Sequence, residues 1–320
     1  CRTGLQLVDC FGPGRAMNNT ATASVPEKTQ GILLELDSVS FSYEDGSVGL
    51  SACSLAIRRG TRNVLIGANG SGKTTLFQHA NGLFRPQSGT VRYAGAALEY
   101  TRSGLRELRS KVGLVFQNPD RQLFSASVRE DVSFGPMNLG LDRATVIRRV
   151  DEALHAVGMA SCADKAVHNL SFGQKKRVCI AGVLAMEPEL LVLDEPMAGL
   201  DYAMREDLLA VLERLHASGM TLLLATHDID FAYRWADDIH LMAAGRCSAS
   251  LAAEKLADSG ATLSALELPV PAVIQLYRQL RESGLIDGDS VPRTHGELMA
   301  RLAASASRNS LGKDAACRLE

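Results

Sequence analysis

The sequence predicts an α/β fold in which helices pack on a parallel sheet, introduced by an antiparallel β segment. Three observations lead there. Short, mostly apolar runs at Asn63–Ile66, Leu190–Leu193 and Thr221–Ala225 have the length and continuity of central strands covered on both faces. Stretches of helical period, Arg143–Val157 and Met204–Leu215 among them, separate these runs, and strands alternating with helices imply parallel pairing. Ahead of them Leu34, Leu36, Val39, Phe41 and Tyr43, then Cys53, Leu55 and Ile57, alternate with polar residues at the period of half-buried strands.

In chain order, residues 1–30 show no sustained period and read as a weakly ordered leader, without the basic start, apolar core and small-residue cleavage site of a secretion signal. The β opening and the alternating strands and helices occupy 31–250. Beyond Ala249 the composition loosens, and Leu268-Pro-Val-Pro271 marks a break because proline biases its predecessor away from helix. Over 251–320 two short helices are expected. Ala272–Glu282 carries Val273, Leu276, Tyr277 and Leu280 at helical spacing, and Thr294 with Glu297 makes a capping-box pattern ahead of Leu298–Ala304. The last dozen residues are polar and read as frayed.

Composition narrows the function. At 320 residues the chain is about twice the commonest domain size. Its 34 Lys+Arg against 36 Asp+Glu give a net charge of −2, too neutral for a whole-chain polyanion binder, and 46% hydrophobic residues are too many for disorder. The longest apolar runs, such as Ala181–Met186 and Met220–Ala225, fall far short of the roughly 20 residues that span hydrocarbon. Seven cysteines, scattered and without a CxxC pair, suggest reduced thiols in a cytosolic compartment rather than a disulfide frame or metal site.

The chemistry concentrates at three strand ends. Gly67-Ala-Asn69-Gly70-Ser71-Gly72-Lys73-Thr74 matches G-x-x-x-x-G-K-[ST], with a buried strand before it and a helical segment, Thr75–Asn81, after it. Small residues let such a loop wrap so that successive backbone N–H groups face phosphate oxygens, and the helix N-terminus adds partial positive charge. Lys73 then reaches the β/γ-phosphates, and the Thr74 hydroxyl can ligate Mg²⁺. The second strand end, Leu190-Leu-Val-Leu193-Asp194-Glu195, finishes in two carboxylates where ligands bind in open α/β sheets, Asp194 placed for the metal and Glu195 as general base on water. At the third, His227 can reach a terminal phosphate and orient the attacking water. Ser171 reads as the N-cap of a helix over Phe172–Met186, whose free N–H groups would face an anion.

Taken with Gln117, Leu170-Ser-Phe-Gly-Gln174 and Ala198-Gly-Leu-Asp201, these residues resemble the nucleotide-binding subunits of ABC transporters, from about Leu33 to Ala249 and in the family's order. The resemblance implies a P-loop NTPase with a mixed central sheet, an antiparallel β subdomain and a helical signature subdomain, followed here by a small C-terminal helical extension. It implies that Tyr43 stacks on adenine, that Gly67–Thr74 and Thr75 bind ATP, and that Gln117 senses Mg²⁺ and the membrane partner. Ser171, Phe172, Gly173 and Gln174 would close over the γ-phosphate of the other subunit, and Asp201 would be the D-loop aspartate. Phe172 stands where the family usually has Gly, and Met197 where it often has Thr.

The segments Phe116–Phe124, Val128–Asp131 and Phe134–Gly140 look like the subgroup serving energy-coupling-factor importers, notably those for cobalt or nickel. Leu123, Phe124, Val128 and Phe134 also cluster apolar bulk that could accept a partner's helix. The expected protein is an ATPase, a homodimer or a heterodimer with a second ATPase, held peripherally at the cytoplasmic face of the membrane by a transmembrane coupling protein and a substrate-binding membrane component. No nucleic-acid partner is expected. Cargo stays open among cobalt, nickel and a vitamin. The rivals are a soluble ABC ATPase working on nucleic acid or ribosomes, which usually has a long coiled coil or two cassettes, and a regulatory nucleotide-binding module without turnover.

Overall fold

A computed structural model describes residues 31–288 and 290–316. The leader expected over 1–30 lies outside the described residues. The first third of the fold is β1 (Ile32–Ser42), β2 (Val48–Arg58), β3 (Arg62–Ile66), α1 (Lys73–Ala80), β4 (Ser88–Tyr93), β5 (Ala96–Ala97), α2 (Arg102–Lys111) and β6 (Val112–Val115). There follow α3 (Val128–Asn138), α4 (Arg143–Ala156), α5 (Phe172–Leu184), β7 (Leu190–Asp194), α6 (Tyr202–Ala217), β8 (Thr221–Thr226), α7 (Ile229–Trp235), β9 (Asp238–Ala243) and β10 (Arg246–Ala252). The chain then forms α8 (Gly260–Ala265), α9 (Ala272–Glu282) and α10 (His295–Ala316).

The central sheet has the order β10-β9-β3-β8-β7-β6. Its strands run parallel except β10, which pairs antiparallel with β9 at one edge. The expected central strands take that role because they are mostly apolar and covered on both faces: every residue of β7 and β8 is buried. A second, antiparallel sheet, β2-β1-β4-β5, carries the alternating segments, with Leu36 opposite Leu55 and Val39 opposite Cys53. One apolar cluster joins Leu34, Leu36, Leu55 and Ile57 of this sheet to Phe77 of α1 and Val192 of β7, so the two sheets are welded through α1. A larger cluster lies on the other face, beneath α3–α7, and takes in Leu256, Leu263, Ile274 and Tyr277 of the C-terminal region.

Helices start where the sequence says they should. Ser171 accepts from Gln174 N–H at 3.3 Å while the Gln174 side chain accepts from Ser171 N–H at 3.0 Å, a complete capping box. Thr294 caps α10 by accepting from Glu297 N–H, but the Glu297 carboxylate turns to Arg293 N–H rather than back to Thr294. Two expectations change. The last helix runs to Ala316 instead of ending near Ala304, so most of the residues expected to fray are helical. Val128 is not part of an exposed cluster: as the first residue of α3 it is fully buried and belongs to the core.

Candidate ATP-hydrolysing site

β3 delivers the chain into the loop 67–72 and α1 receives it. The path is so tight that a Cβ on Gly67 would come within 2.3 Å of the Met242 carbonyl oxygen. Gly72, at φ 102°, adopts the left-handed region, and a Cβ there would lie 2.5 Å from Gly49 O. Lys73 is buried at 6% exposure and donates to Gly67 O at 2.7 Å and Ala68 O at 3.0 Å, so its ammonium fills the loop it closes. Burial lowers its pKa, against the pull of Glu195 and Asp194. Ala68, Asn69 and Gly70 form the exposed rim. Ser71 Oγ, by contrast, is a buried hydroxyl with no hydrogen-bond partner, a vacant polar group of the kind a phosphate oxygen would satisfy.

Thr74 Oγ1 donates to Asp194 Oδ2 at 2.7 Å, which places a hydroxyl and a carboxylate at one point between α1 and the end of β7. Burial raises the Asp194 pKa, and the Thr74 bond and Lys73 only partly offset it. A buried carboxylate with a hydroxyl for a neighbour is a hard-oxygen donor set that suits Mg²⁺. Gln117, exposed at the end of β6, lines the same cleft with Phe172 and Gly199.

Glu195 follows directly. Its backbone is left-handed, φ 45°, in a residue that precedes Pro196, a conformation that costs roughly 1–3 kcal/mol. The consequence is aim: the carboxylate approaches His227 Nδ1 at 3.2 Å. The His227 ring is 71% exposed whereas the Glu195 side chain is 10% exposed, so the base is sheltered and its neighbour faces outward.

Tyr43 sits beside this group, with its hydroxyl 2.7 Å from Thr75 Oγ1 and its ring edge-on to Phe41 and Phe84. At 36% exposure it offers an aromatic surface near the start of α1. Lys73, Thr74, Thr75, Gln117, Asp194, Glu195 and His227 are thus gathered at the C-terminal ends of β3, β6, β7 and β8, with Tyr43 alongside. Ser171, Gln174 and Asp201 are not gathered there. Ser171 and Gln174 bond each other, Asp201 caps α6 by accepting from Met204 N–H at 2.8 Å, and none is hydrogen-bonded to the phosphate loop among the described residues. Gly173 is buried, with Met204 and Leu200 against its α-carbon, so the free groups of that helix start are the Ser171 hydroxyl and first-turn N–H groups.

Sequence reasoning missed two supports. Asp131, buried on α3, accepts from Phe124 and Ser125 N–H at 2.9 Å each and fixes the segment after Gln117. Lys176, only 3% exposed, points its ammonium beneath Glu195. Its signal was available: Gly173, Lys176, Ile180 and Val183 form one stripe of α5, and a lysine in an apolar stripe needs a partner.

A phosphate loop closed by Lys73, a hydroxyl–carboxylate pair and a base beside a histidine, on this sheet order, define an ATPase of the ABC class. The ABC transporter family model matches residues 50–198. The chain is 44% identical over 272 residues to the cobalt import ATP-binding protein CbiO of Rhodobacter capsulatus, covering 85% of this chain and 97% of that protein. It is 41% identical to the energy-coupling factor transporter ATP-binding protein EcfA2 of Methanospirillum hungatei over 82% of this chain, and spans 66% of that longer relative. The solved structure of cbiO1 from Clostridium perfringens, described as part of the ABC transporter complex cbiONQ, superposes with a TM-score of 0.66 at 40% identity, covering 77% of this chain and 99% of that one. The chain belongs to the ABC transporter family, as an ATP-binding subunit that hydrolyses ATP.

Proposed function

We propose that this chain drives an energy-coupling-factor importer for cobalt or nickel, working at the cytoplasmic face of the membrane through a transmembrane coupling protein and a substrate-binding component. The observation that carries the reading is the gathering of Lys73, Thr74, Asp194, Glu195 and His227 at the C-terminal ends of β3, β7 and β8, with Thr74 bonded to Asp194 and His227 beside Glu195. The cargo rests on the likeness to a cobalt import protein. The division into a cassette over 31–250 and an extension over 251–320 belongs to the same reading.

In the proposed cycle two copies, or this chain and a second ATPase, face head to tail. Lys73 leaves its two carbonyls for the β/γ-phosphates, the loop N–H groups and Ser71 Oγ take phosphate oxygens, and Tyr43 stacks on adenine. Ser171 and the first-turn N–H groups of α5, Gly173 and Gln174 behind them, close on the γ-phosphate bound by the facing chain, and Asp201 sits across the same interface. Thr74, Asp194 and Gln117 would hold Mg²⁺, which when bound neutralises charge building on the transferred phosphoryl group. Glu195 accepts the proton of the attacking water, and His227 orients that water against the γ-phosphate. ATP then holds the pair closed, and hydrolysis releases it.

An exposed groove suits the membrane partner. Phe124, 65% exposed, and Phe134, 50% exposed, meet edge-to-face at 4.7 Å beside Leu83 and Leu139, with Arg102 and Arg106 on the rim. A partner's helix with an apolar face fits such a cleft.

Purified Glu195→Gln is expected to bind ATP as the wild type does while turnover falls about 100-fold or more, as loss of a general base dictates. Near-normal steady-state hydrolysis would overturn the base assignment. For the transport reading, the chain should co-purify with small hydrophobic membrane proteins and support ATP-dependent uptake of cobalt or nickel in vesicles. Salt-sensitive nucleic-acid binding in their place would overturn it in favour of a soluble ATPase.

A further inference from the structure

Three carbonyl oxygens of the loop that carries the base converge on one side chain. Lys176 Nζ donates to Pro196 O at 2.7 Å, to Ala198 O at 2.7 Å and to Glu195 O at 3.3 Å. An ammonium has three N–H donors, so all of them are spent on this one loop. Lys176 forms no ion pair closer than 4 Å among the described residues, and the Phe172 ring lies 5.1 Å over the nitrogen. The same ring packs on Gly199, where an added Cβ would meet it at 3.1 Å. The cation is thus enclosed between a helix start and a loop, held by three peptide carbonyls and faced by the Phe172 ring, with the Glu195 carboxylate acting on it from beyond ion-pair distance.

The loop needs that support. Glu195 holds a left-handed backbone ahead of a proline, and its own N–H reaches Ala225 O at only 3.2 Å. Ala198 N–H closes a turn onto Glu195 O, leaving the carbonyls of residues 196 and 198 to Lys176. Without the ammonium these buried acceptors lose their donor, and the strained residue has little to keep its carboxylate turned to His227.

We propose that Lys176 is a positioning residue for Glu195, tying the N-terminus of α5 to the loop that carries the base. The inference rests on the head-to-tail reading and on Glu195 as base. Under that reading the α5 start serves the facing chain's ATP while Glu195 serves this chain's own, so Lys176 joins the two composite sites within each subunit. It also gives the phenylalanine at position 172 a role, as the lid over the ammonium.

The test compares Lys176→Met, Glu195→Gln and the double variant in the full chain, reading kcat, KM for ATP and nucleotide binding. Lys176→Met should lower kcat about 10- to 100-fold, the scale on which a misplaced catalytic group costs rate, with KM and ATP affinity within about threefold. In the Glu195→Gln background the same change should cost less than about twofold, because the group it positions is already gone. A kcat within about twofold of wild type, a matching loss of ATP affinity, or full additivity would overturn the proposal. Should Lys176→Met fail to fold, Lys176→Gln, which keeps two donors, is held to the same criteria with a smaller loss of kcat. An active Glu195→Gln overturns the base assignment and this inference with it; an inactive Glu195→Gln beside a fully active Lys176→Met overturns the tie alone.

Discussion

At the scale of single residues, burial sets the chemistry. His240 lies on β9 between Asn63 and Ser250, with Nε2 3.2 Å from Asn63 Oδ1 and Nδ1 2.8 Å from Ser250 Oγ. Desolvation pushes its pKa down to about 4, with Asp238 opposing and Arg58 reinforcing the shift. Between about 4 and the ordinary 6.5 the unfolded chain binds a proton that the native chain refuses, so acid favours unfolding in that window. From pH 7 to pH 5 this one ring is expected to remove about 2 kcal/mol of stability. Urea midpoints at the two pH values check it: the difference should shrink in His240→Gln, and an undiminished difference would assign the acid sensitivity to other groups.

At the scale of elements, the caps connect stability to function. Ser171 holds the start of α5, so Ser171→Ala is expected to cost about 1 kcal/mol, seen as a lower urea midpoint. It also removes a hydroxyl from the surface offered to the facing γ-phosphate, so turnover should fall while ATP affinity of the isolated chain holds. Unchanged turnover in the assembled transporter would place the anion contact elsewhere. The cap was legible because it is local: Ser171 and Gln174 sit three residues apart and need nothing else. The phosphate loop was legible for the same reason, a strand, eight residues and a helix. The partner of Lys176 was not: its place in an apolar stripe called for one, but the acceptors lie about twenty residues downstream and meet it only once β7 is in the sheet. Val128 misled for the converse reason: its neighbours Phe124 and Phe134 are exposed, while the pairing of Ser127 with Ala166 and the bond from Val128 N–H to Lys165 O hold position 128 inward, contacts some forty residues away in the chain.

At the scale of the whole molecule, the C-terminal region is fastened to the helix that follows His227. Asp230 in the first turn of α7 accepts from Ala272 N–H at 2.7 Å, and Arg293 donates to Tyr233 O at 2.8 Å and to Ala236 O, capping the far end while its guanidinium lies 5.9 Å from the Tyr233 ring centre. Arg293→Ala is expected to cost about 2 kcal/mol, as for hydrogen bonds to a charged donor, and to lower the melting midpoint by several degrees. Differential scanning calorimetry reads this directly, and an unshifted midpoint would show the cap to be idle. Leu256, Ile274 and Tyr277 are buried in the same cluster as Leu222 and Leu241 of the central sheet, so the two regions share one apolar core. Melting should therefore be all-or-none, one heat-absorption peak for cassette and extension together, and a chain cut after Ala252 would expose a raw apolar face and be lost to aggregation rather than survive as a smaller motor.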